Sequence, residues 1–453
     1  MSKELKLSQY VLIKEDFPIK GYYLLYSTLT RSVIVLETEI FERISNKDFE
    51  KCPENIIEEL FNQGILVSYS DNESNYIKYF IEKGKFSNPG FGAMILTTYD
   101  CNLKCEYCIE TEIQGFRREN MTNDTTKDII NWIQRKIDEK SYRILELVFY
   151  GGEPLLNKDP IFQICNYFYN ETLKKNLTFS FSIITNGTIE LSDDELKTLT
   201  KNNLKFIQIT IDGSKYIHDK RRPYKNGEGS FSDIIKNLKK FLEFTKVAVR
   251  INVDSANMED IDNLLKYLKE EGLNNRVYID FSPQMKSCYP SLQCDSNVLT
   301  DKAFSEFLIK KALPSAKRDG FPITRRFVDS GPCLLLSESQ FVIDPVGDIY
   351  KCGGFVGKKE FSIGNVRDKK FNSKYVEFIT MDRWRECIEC PYVPLCGGGC
   401  AFESYVNVGD YTKKICKKQL FSRVTMEVLA SSLDTEKIVD HLKKRKDLNG
   451  KVV

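Results

Sequence analysis

Histidine is almost missing from these 453 residues, with only His218 and His441. Histidine-based acid/base chemistry and His-rich zinc sites have little to draw on. An excess of one charge is missing as well: 66 basic side chains face 64 acidic ones, for a formal net charge of +2. No global field pulls such a chain onto nucleic acid or an acidic membrane, so its partner has to be recognised locally. No apolar run approaches ~18 residues, and the opening MSKELKLSQY is mixed polar rather than a basic end followed by an apolar core. Neither a membrane span nor a signal peptide is expected, which places the chain in the cytoplasm. What is there is 42% hydrophobic and 29% charged, a composition that excludes disorder and collagen-like repeats, in a chain long enough for two or three domains. Cysteine is plentiful, with 14 copies. In a reducing compartment, clustered cysteines point to metal more often than to disulfides.

Residues 1–85 read as a small α+β domain. Short β-prone runs at Tyr10–Ile13, Tyr22–Tyr26 and Ser32–Leu36 precede helical periodicity in TEIFERI and NIIEELFNQG, with Gly64 as a helix C-cap and ILVSY as one more strand. Glu82–Gly92 reads as a linker. Over residues 93–285, the β-rich runs AMILT, ILELVFY, FSFSII, FIQITI, VAVRINV and VYIDF alternate with helical patterns near 125–139, 160–174, 192–201, 231–244 and 258–271. Six such units in series predict a parallel α/β sheet, flat or curled toward a barrel, with ligands at the C-terminal strand ends. Over residues 330–420 the alternation stops and seven cysteines appear among Gly and Pro, as in a metal-stapled domain with little core of its own. Residues 421–453 read as a helical tail.

The first of these strands runs into YDCNLKCEYCIE, a C-x3-C-x2-C loop of Cys101, Cys105 and Cys108. Three thiolates cannot fill a tetrahedral zinc site or a four-iron cluster, so one metal position stays open to an exogenous ligand. The second strand ends in Gly151, Gly152, Glu153 and Pro154, where the glycines let a ligand approach the backbone and Glu153 suits an ammonium group. The third ends in Thr185, Asn186 and Gly187, the fourth in Asp212 and Gly213. Four consecutive strands thus deliver polar, Gly-flanked groups to one rim.

These residues resemble the radical S-adenosylmethionine (SAM) enzymes, whose hallmark is C-x3-C-x2-C with an aromatic before the last cysteine, here Tyr107. The resemblance implies a partial (β/α)6 TIM-like barrel in which Cys101, Cys105 and Cys108 hold a [4Fe-4S] cluster. Its open iron would chelate SAM, with Gly151, Gly152 and Glu153 near the methionine amino group. The run DGSKYIHDKRRPYKNGEGSF resembles the signature of one branch of the family and implies Arg222 near the SAM carboxylate, with Thr185 and Asn186 as further contacts. His218 and Asp219 are read as braces of that loop. Cys52 and Cys165 fall in helical patterns and read as small buried hydrophobes.

Seven further cysteines follow: Cys333, Cys352, Cys387, Cys390, Cys396, Cys400 and Cys416. On their own they could bind one zinc with three thiols left over, or two clusters with one ligand missing. Their spacing resembles the SPASM extension of peptide- and protein-modifying members of the family. By that resemblance Cys387, Cys390, Cys396 and Cys416 hold one auxiliary [4Fe-4S] cluster and Cys333, Cys352 and Cys400 supply three ligands of another, making three clusters in all. Cys288 or Cys294 would have to fold back to complete the second set, or one iron stays open. Sulfatase-maturing relatives carry an aspartate after the equivalent of Cys352; here Gly353 and Gly354 follow. The N-terminal segment resembles the winged-helix peptide-recognition module of ribosomal-peptide maturases, which takes a leader peptide as an added strand. The expected activity is SAM cleavage to a 5'-deoxyadenosyl radical and installation of a cross-link in a precursor peptide, a thioether first and a carbon–carbon bond next. A flavodoxin- or ferredoxin-type donor would supply the electron. Formylglycine formation on a sulfatase is the alternative enzyme reading, and a zinc-stabilised binding scaffold the non-catalytic one.

Overall fold

The structure is a computed structural model that describes residues 4–108, 119–174, 176–285 and 297–446. The chain opens with β1 (Leu5–Leu7) and an antiparallel sheet of β2 (Val11–Glu15), β3 (Tyr22–Ser27) and β4 (Val33–Glu37). Helices α1 (Thr38–Ser45) and α2 (Glu54–Asn62) follow, and β5 (Leu66–Ser68) returns to pair with β1. Strand alternation divides the burial on β3. Leu25 packs with Ile44, Ile56 and Leu60 of the two helices in a small core, whereas Leu24 and Tyr26 join the main core of the protein. The expected linker is helix as far as Phe86 and strand from Gly90: α3 (Glu73–Phe86) starts where Asn72 accepts from the Asn75 N–H at 3.1 Å. Its Ile77 and Ile81, one turn apart, are buried in the main core. That anchorage carries Gly84 inside the helix, where composition alone suggests a break.

Strands β6 (Gly90–Leu96), β7 (Ile144–Tyr150), β8 (Thr178–Thr185), β9 (Leu204–Thr210), β10 (Lys246–Val253) and β11 (Val277–Pro283) pair in parallel in chain order. The intervening helices are α4 (Asn123–Lys140), α5 (Asp159–Thr172), α6 (Asp193–Lys201), α7 (Lys215–Arg221), α8 (Phe231–Phe241) and α9 (Ile261–Glu270). The six β/α units are thus present as a partial barrel. Cys165 is fully buried on α5 and Cys52 half-buried after α1, neither beside the cysteines of the motifs.

The sheet does not stop at β6. Strand β12 (Gln340–Ile343) pairs with β6 in parallel and continues antiparallel into β13 (Asp348–Tyr350) and β14 (Gly364–Asn365). The cysteine-rich region is therefore grafted onto the first barrel strand. It also has the core that its cysteine spacing gives no hint of: Phe355 stacks on Phe361 at 4.2 Å and meets the edges of Phe402 and Tyr405 at 5.7 Å. A Cβ on Gly354 would lie 2.4 Å from the Phe402 ring, so this glycine is set by packing.

The N-terminal sheet docks on the same region through hydrogen bonds to its backbone. Tyr10 donates to the Ile388 carbonyl at 2.7 Å, Thr28 to that of Pro391 at 2.6 Å, and Arg31 to those of Ser330 and Pro394 at 2.6 and 3.1 Å.

Asp344, in the turn between β12 and β13, accepts from the Tyr99 hydroxyl at 2.6 Å and from the N–H groups of Val346 and Asp348. This links the hairpin to the loop after β6. Burial, against the pull of Tyr99, raises its pKa to about 6. A buried acid with a raised pKa favours folding most when protonated, so its contribution is full below about pH 4 and is lost as pH rises through about 6. Asp344→Asn is expected to remove this slope, worth about 3 kcal/mol across the interval, as read from urea unfolding of both proteins at acidic and neutral pH.

Candidate active site

At the C-terminal ends of the barrel strands lies a cleft of about 350 Å3 whose wall includes Cys101, Cys105, Tyr107, Cys108, Gly151, Gly152, Thr185, Asn186 and Arg222. The cysteine loop is not free-standing. Lys104 N–H donates to the Pro223 carbonyl at 2.8 Å, Glu106 N–H to that of Arg221 at 3.3 Å, and Lys225 N–H to that of Asn102 at 3.0 Å. The segment 221–225 thereby lies along the loop like an added strand and carries Arg222 beneath the thiols. Arg222 Nη1 donates to the Tyr107 hydroxyl at 2.6 Å, and Tyr107 in turn donates to the buried Asp212. Asn252 on β10 reaches the same hydroxyl at 3.2 Å.

Glu153 differs from expectation. It is sealed from solvent and absent from the cleft wall. Its carboxylate accepts from Thr185 Oγ1 at 2.7 Å and from the N–H groups of Asn186 and Leu155 at 2.6 and 3.0 Å. Burial still raises its pKa to about 7, against these donors. It ties the end of β7 to the end of β8. Asn186 hands this order on: its Nδ2 donates to Asn102 Oδ1 at 2.8 Å and lies 3.7 Å from Cys101 Sγ. The two glycines before Glu153 are needed for contact between backbones. Gly151 has φ +144, and a Cβ on Gly152 would fall 2.2 Å from the Asp100 carbonyl oxygen.

Burial pushes the Cys101 thiol up to about 12, with Glu153, Cys105 and Cys108 adding repulsion to its thiolate; Cys105 rises for the same first reason, tempered by Arg222. His218 accepts the Asp212 N–H at Nδ1 and is paired through Nε2 with Ser230, whose hydroxyl donates to the Arg222 carbonyl at 2.7 Å. Burial, with Arg222 and Arg221 nearby, holds it neutral, well below the usual imidazole range. Asp219 accepts the Phe231 N–H at 2.8 Å. Both residues brace the loop.

The C-terminal region brings several of its seven cysteines near one another. Cys352 and Cys400 feel one another and Cys333 electrostatically, while Cys387 interacts with Cys390, Cys396 and Cys416. All are free thiols; Cys416 is exposed and the others half-buried. Among the described residues, no three metal-ligating side chains converge on a single ion position. Cys288 and Cys294 lie outside the described residues. Gly353 is close to the cleft: a Cβ there would lie 3.6 Å from Sδ of Met94, which is part of the cleft wall.

Sequence reasoning overlooked the middle of the barrel. Gln208, Thr210, Arg250, Asn252 and Gln284 line the cleft as well. Their signal is a polar residue at every second position in FIQIT and VRINV, within strands that a parallel sheet otherwise fills with apolar side chains.

Residues 95–268 match the family model of the Radical SAM superfamily. The cysteine-type anaerobic sulfatase-maturating enzyme of Clostridium novyi (strain NT) is 26% identical over 66% of this chain and 85% of its own. The radical SAM cyclopropyl synthase TigE of Paramaledivibacter caminithermalis is 24% identical over 92% of this chain and 94% of its own. Among solved structures, Streptococcus suis SuiB bound to precursor peptide SuiA superposes with a TM-score of 0.53 at 15% identity, covering 92% of this chain and all of that one. This last likeness concerns the fold.

The hydroxyl of Tyr107 joins a buried carboxylate to a buried guanidinium, and removing it leaves both short of a partner. Tyr107→Phe is expected to cost about 2 kcal/mol, measured by chemical denaturation of the metal-free protein.

Proposed function

The chain is a radical SAM enzyme, and on that premise we propose that it cross-links residues of a ribosomally made precursor peptide, with a thioether favoured over a carbon–carbon bond. The donor chemistry of the rim fits the cofactor pair. One loop offers three thiols and no fourth ligand, and Arg222 Nε, a buried donor on the cleft wall, has no hydrogen-bond partner among the described residues. When bound at Cys101, Cys105 and Cys108, a [4Fe-4S] cluster together with SAM supplies one-electron reductive cleavage to a 5'-deoxyadenosyl radical, for which a flavodoxin- or ferredoxin-type protein is the donor. Arg222 offers its guanidinium to the cofactor's carboxylate, and Thr185 and Asn186 orient the adjoining groups. Glu153 acts as a positioning residue through its hold on Thr185 and Asn186. The barrel walls exclude water from a reactive intermediate.

The observation that carries the peptide reading is the closeness of the cleft to the Cys333, Cys352 and Cys400 group, across Met94 and Gly353. Those three thiols suit an auxiliary [4Fe-4S] cluster with one position left for a substrate thiolate, whose pKa it would lower. Cys387, Cys390, Cys396 and Cys416 suit a second auxiliary cluster that passes on the electron left after bond formation. The N-terminal sheet, with β4 at one side, can take a leader strand. The likeness to SuiB, solved with its precursor peptide SuiA, covers 92% of this chain and supports a peptide substrate. Sulfatase maturation, the activity named for the Clostridium novyi relative, is disfavoured in its formylglycine-forming reading by Gly353, which has no side chain to act as a base.

Co-expression with a short cysteine-containing peptide encoded beside this chain tests the reading by mass spectrometry. The expected product has lost two hydrogens and has one thiol protected from alkylation; loss of the cysteine sulfur would favour formylglycine instead. Anaerobic reconstitution is expected to load about twelve irons with matching sulfide, and stoichiometric zinc without sulfide would overturn the mechanism. Cys105→Ala is expected to abolish SAM cleavage, whereas Cys390→Ala keeps part of it and loses the peptide product. Replacing both Cys288 and Cys294 by Ser is expected to leave iron content and cross-linking intact. Loss of one cluster's iron would mean that this loop closes the open position, and would favour the carbon–carbon product.

A further inference from the structure

Arg250 is the cation of the cleft that its own protein compensates least. On β10, Val247, Val249, Ile251 and Val253 are fully buried, so the intervening Arg250 and Asn252 face the bore. Arg250 is in register with Thr210 on β9 and Asp280 on β11. Asp280, however, is already taken: Arg326 Nε donates to Oδ1 at 2.9 Å, its Nη2 pairs with Oδ2, and Thr324 donates to Oδ1 at 2.8 Å. Arg250 comes no closer to that carboxylate than 3.7 Å. Its other partners are neutral, Asn252 Oδ1 at 2.9 Å and Ser282 Oγ at 2.8 Å. Two guanidiniums thus share one carboxylate, and one positive charge remains in a recess of the cleft.

The neighbouring arginines are different. Arg221 is paired with Asp254 at 2.9 Å, and Arg222 lies beside Tyr107, Asp212 and Cys105. Burial depresses the pKa of all four. Anionic partners more than offset it for Arg221, Arg222 and Arg326, but Arg250, repelled by Arg326, stays below the usual guanidinium range. A half-buried cation that shares its one carboxylate with a second guanidinium is relieved by a further anion. Depth separates this cation from the cofactor's end of the cleft. Asn252 is level with Tyr107 and Arg222, and Arg250 is two residues earlier on the strand, roughly 7 Å further in.

We propose that Arg250 anchors a carboxylate of the substrate in the bore of the barrel. On the peptide reading, from which this takes the source of the carboxylate, the group is an Asp or Glu side-chain carboxylate or the peptide's own terminal carboxylate, near the residue that reacts. A guanidinium prefers a carboxylate to the isosteric amide because the amide brings no charge and one fewer acceptor.

The test uses reconstituted enzyme with SAM and two labelled tripeptides, acetyl-Gly-Glu-Gly-amide and acetyl-Gly-Gln-Gly-amide, in equilibrium dialysis. The wild type is expected to bind the Glu peptide about tenfold more tightly than its Gln twin. Arg250→Gln is expected to erase the preference and Arg250→Lys to keep part of it, with SAM affinity within about twofold throughout. Equal binding of the two peptides by the wild type overturns the proposal, even if a variant fails to fold. A tenfold fall in SAM affinity in Arg250→Gln also overturns it and assigns the guanidinium to the cofactor's own carboxylate. The probes carry neither leader nor cysteine, so their discrimination stands or falls apart from the origin of the natural substrate.

Discussion

A carboxylate sealed from bulk solvent has to be satisfied by hydrogen-bond donors, and Glu153 is the residue on which the rim is built in this way. Its oxygens take the Thr185 hydroxyl and the N–H groups of Asn186 and Leu155, while its own N–H goes to the Asp100 carbonyl at 2.8 Å. One residue therefore ties together the second strand end, the third strand end and the residue before Cys101. The 221–225 segment closes the cysteine loop from the other side by backbone pairing. Between them, the thiols are placed by hydrogen bonds that tolerate little displacement, and apolar packing supplies only the platform beneath.

Much of this was legible in sequence because it is local. Six apolar runs separated by helical patterns specify the barrel, and Gly-flanked polar groups at the ends of four runs specify its rim. The direction in which a side chain points is not local. GGEP locates Glu153 without telling that its carboxylate turns to the third strand. Gly84 and Pro89 suggest a linker where Ile77 and Ile81 hold a helix in the main core. The short strands β12 to β14 depend on β6 as a partner and have too few residues to announce themselves. The polar alternation of Gln208 and Thr210, and of Arg250 and Asn252, was present in the letters, but its meaning depends on knowing which face of each strand is the bore.

Cysteine spacing gave no guide to the packing of the C-terminal region. Cys333, Cys352 and Cys400 come together across a long stretch of sequence because β12 and β13 set Cys352 beside the barrel and the Phe355 cluster positions the helix after Cys400. Gly353 and Gly354 are adjacent letters with unrelated reasons. Gly354 makes room for the Phe402 ring, whereas Gly353 adjoins Met94 at the cleft wall.

The bonds from Tyr10, Thr28 and Arg31 to the carbonyls of Ile388, Pro391 and Pro394 have a consequence for the order in which the protein is made. These contacts span more than three hundred and fifty positions, so the first strands to leave the ribosome wait for almost the whole chain before they find their neighbours. Until then Leu24 and Tyr26 present an apolar face with nothing against it, a surface that invites chaperones or self-association. The segment Cys387–Cys396, made late, meets donors that are already present when it emerges. Its maturation is thus a late, whole-chain event, while the barrel rim, built from nearer neighbours, can form first.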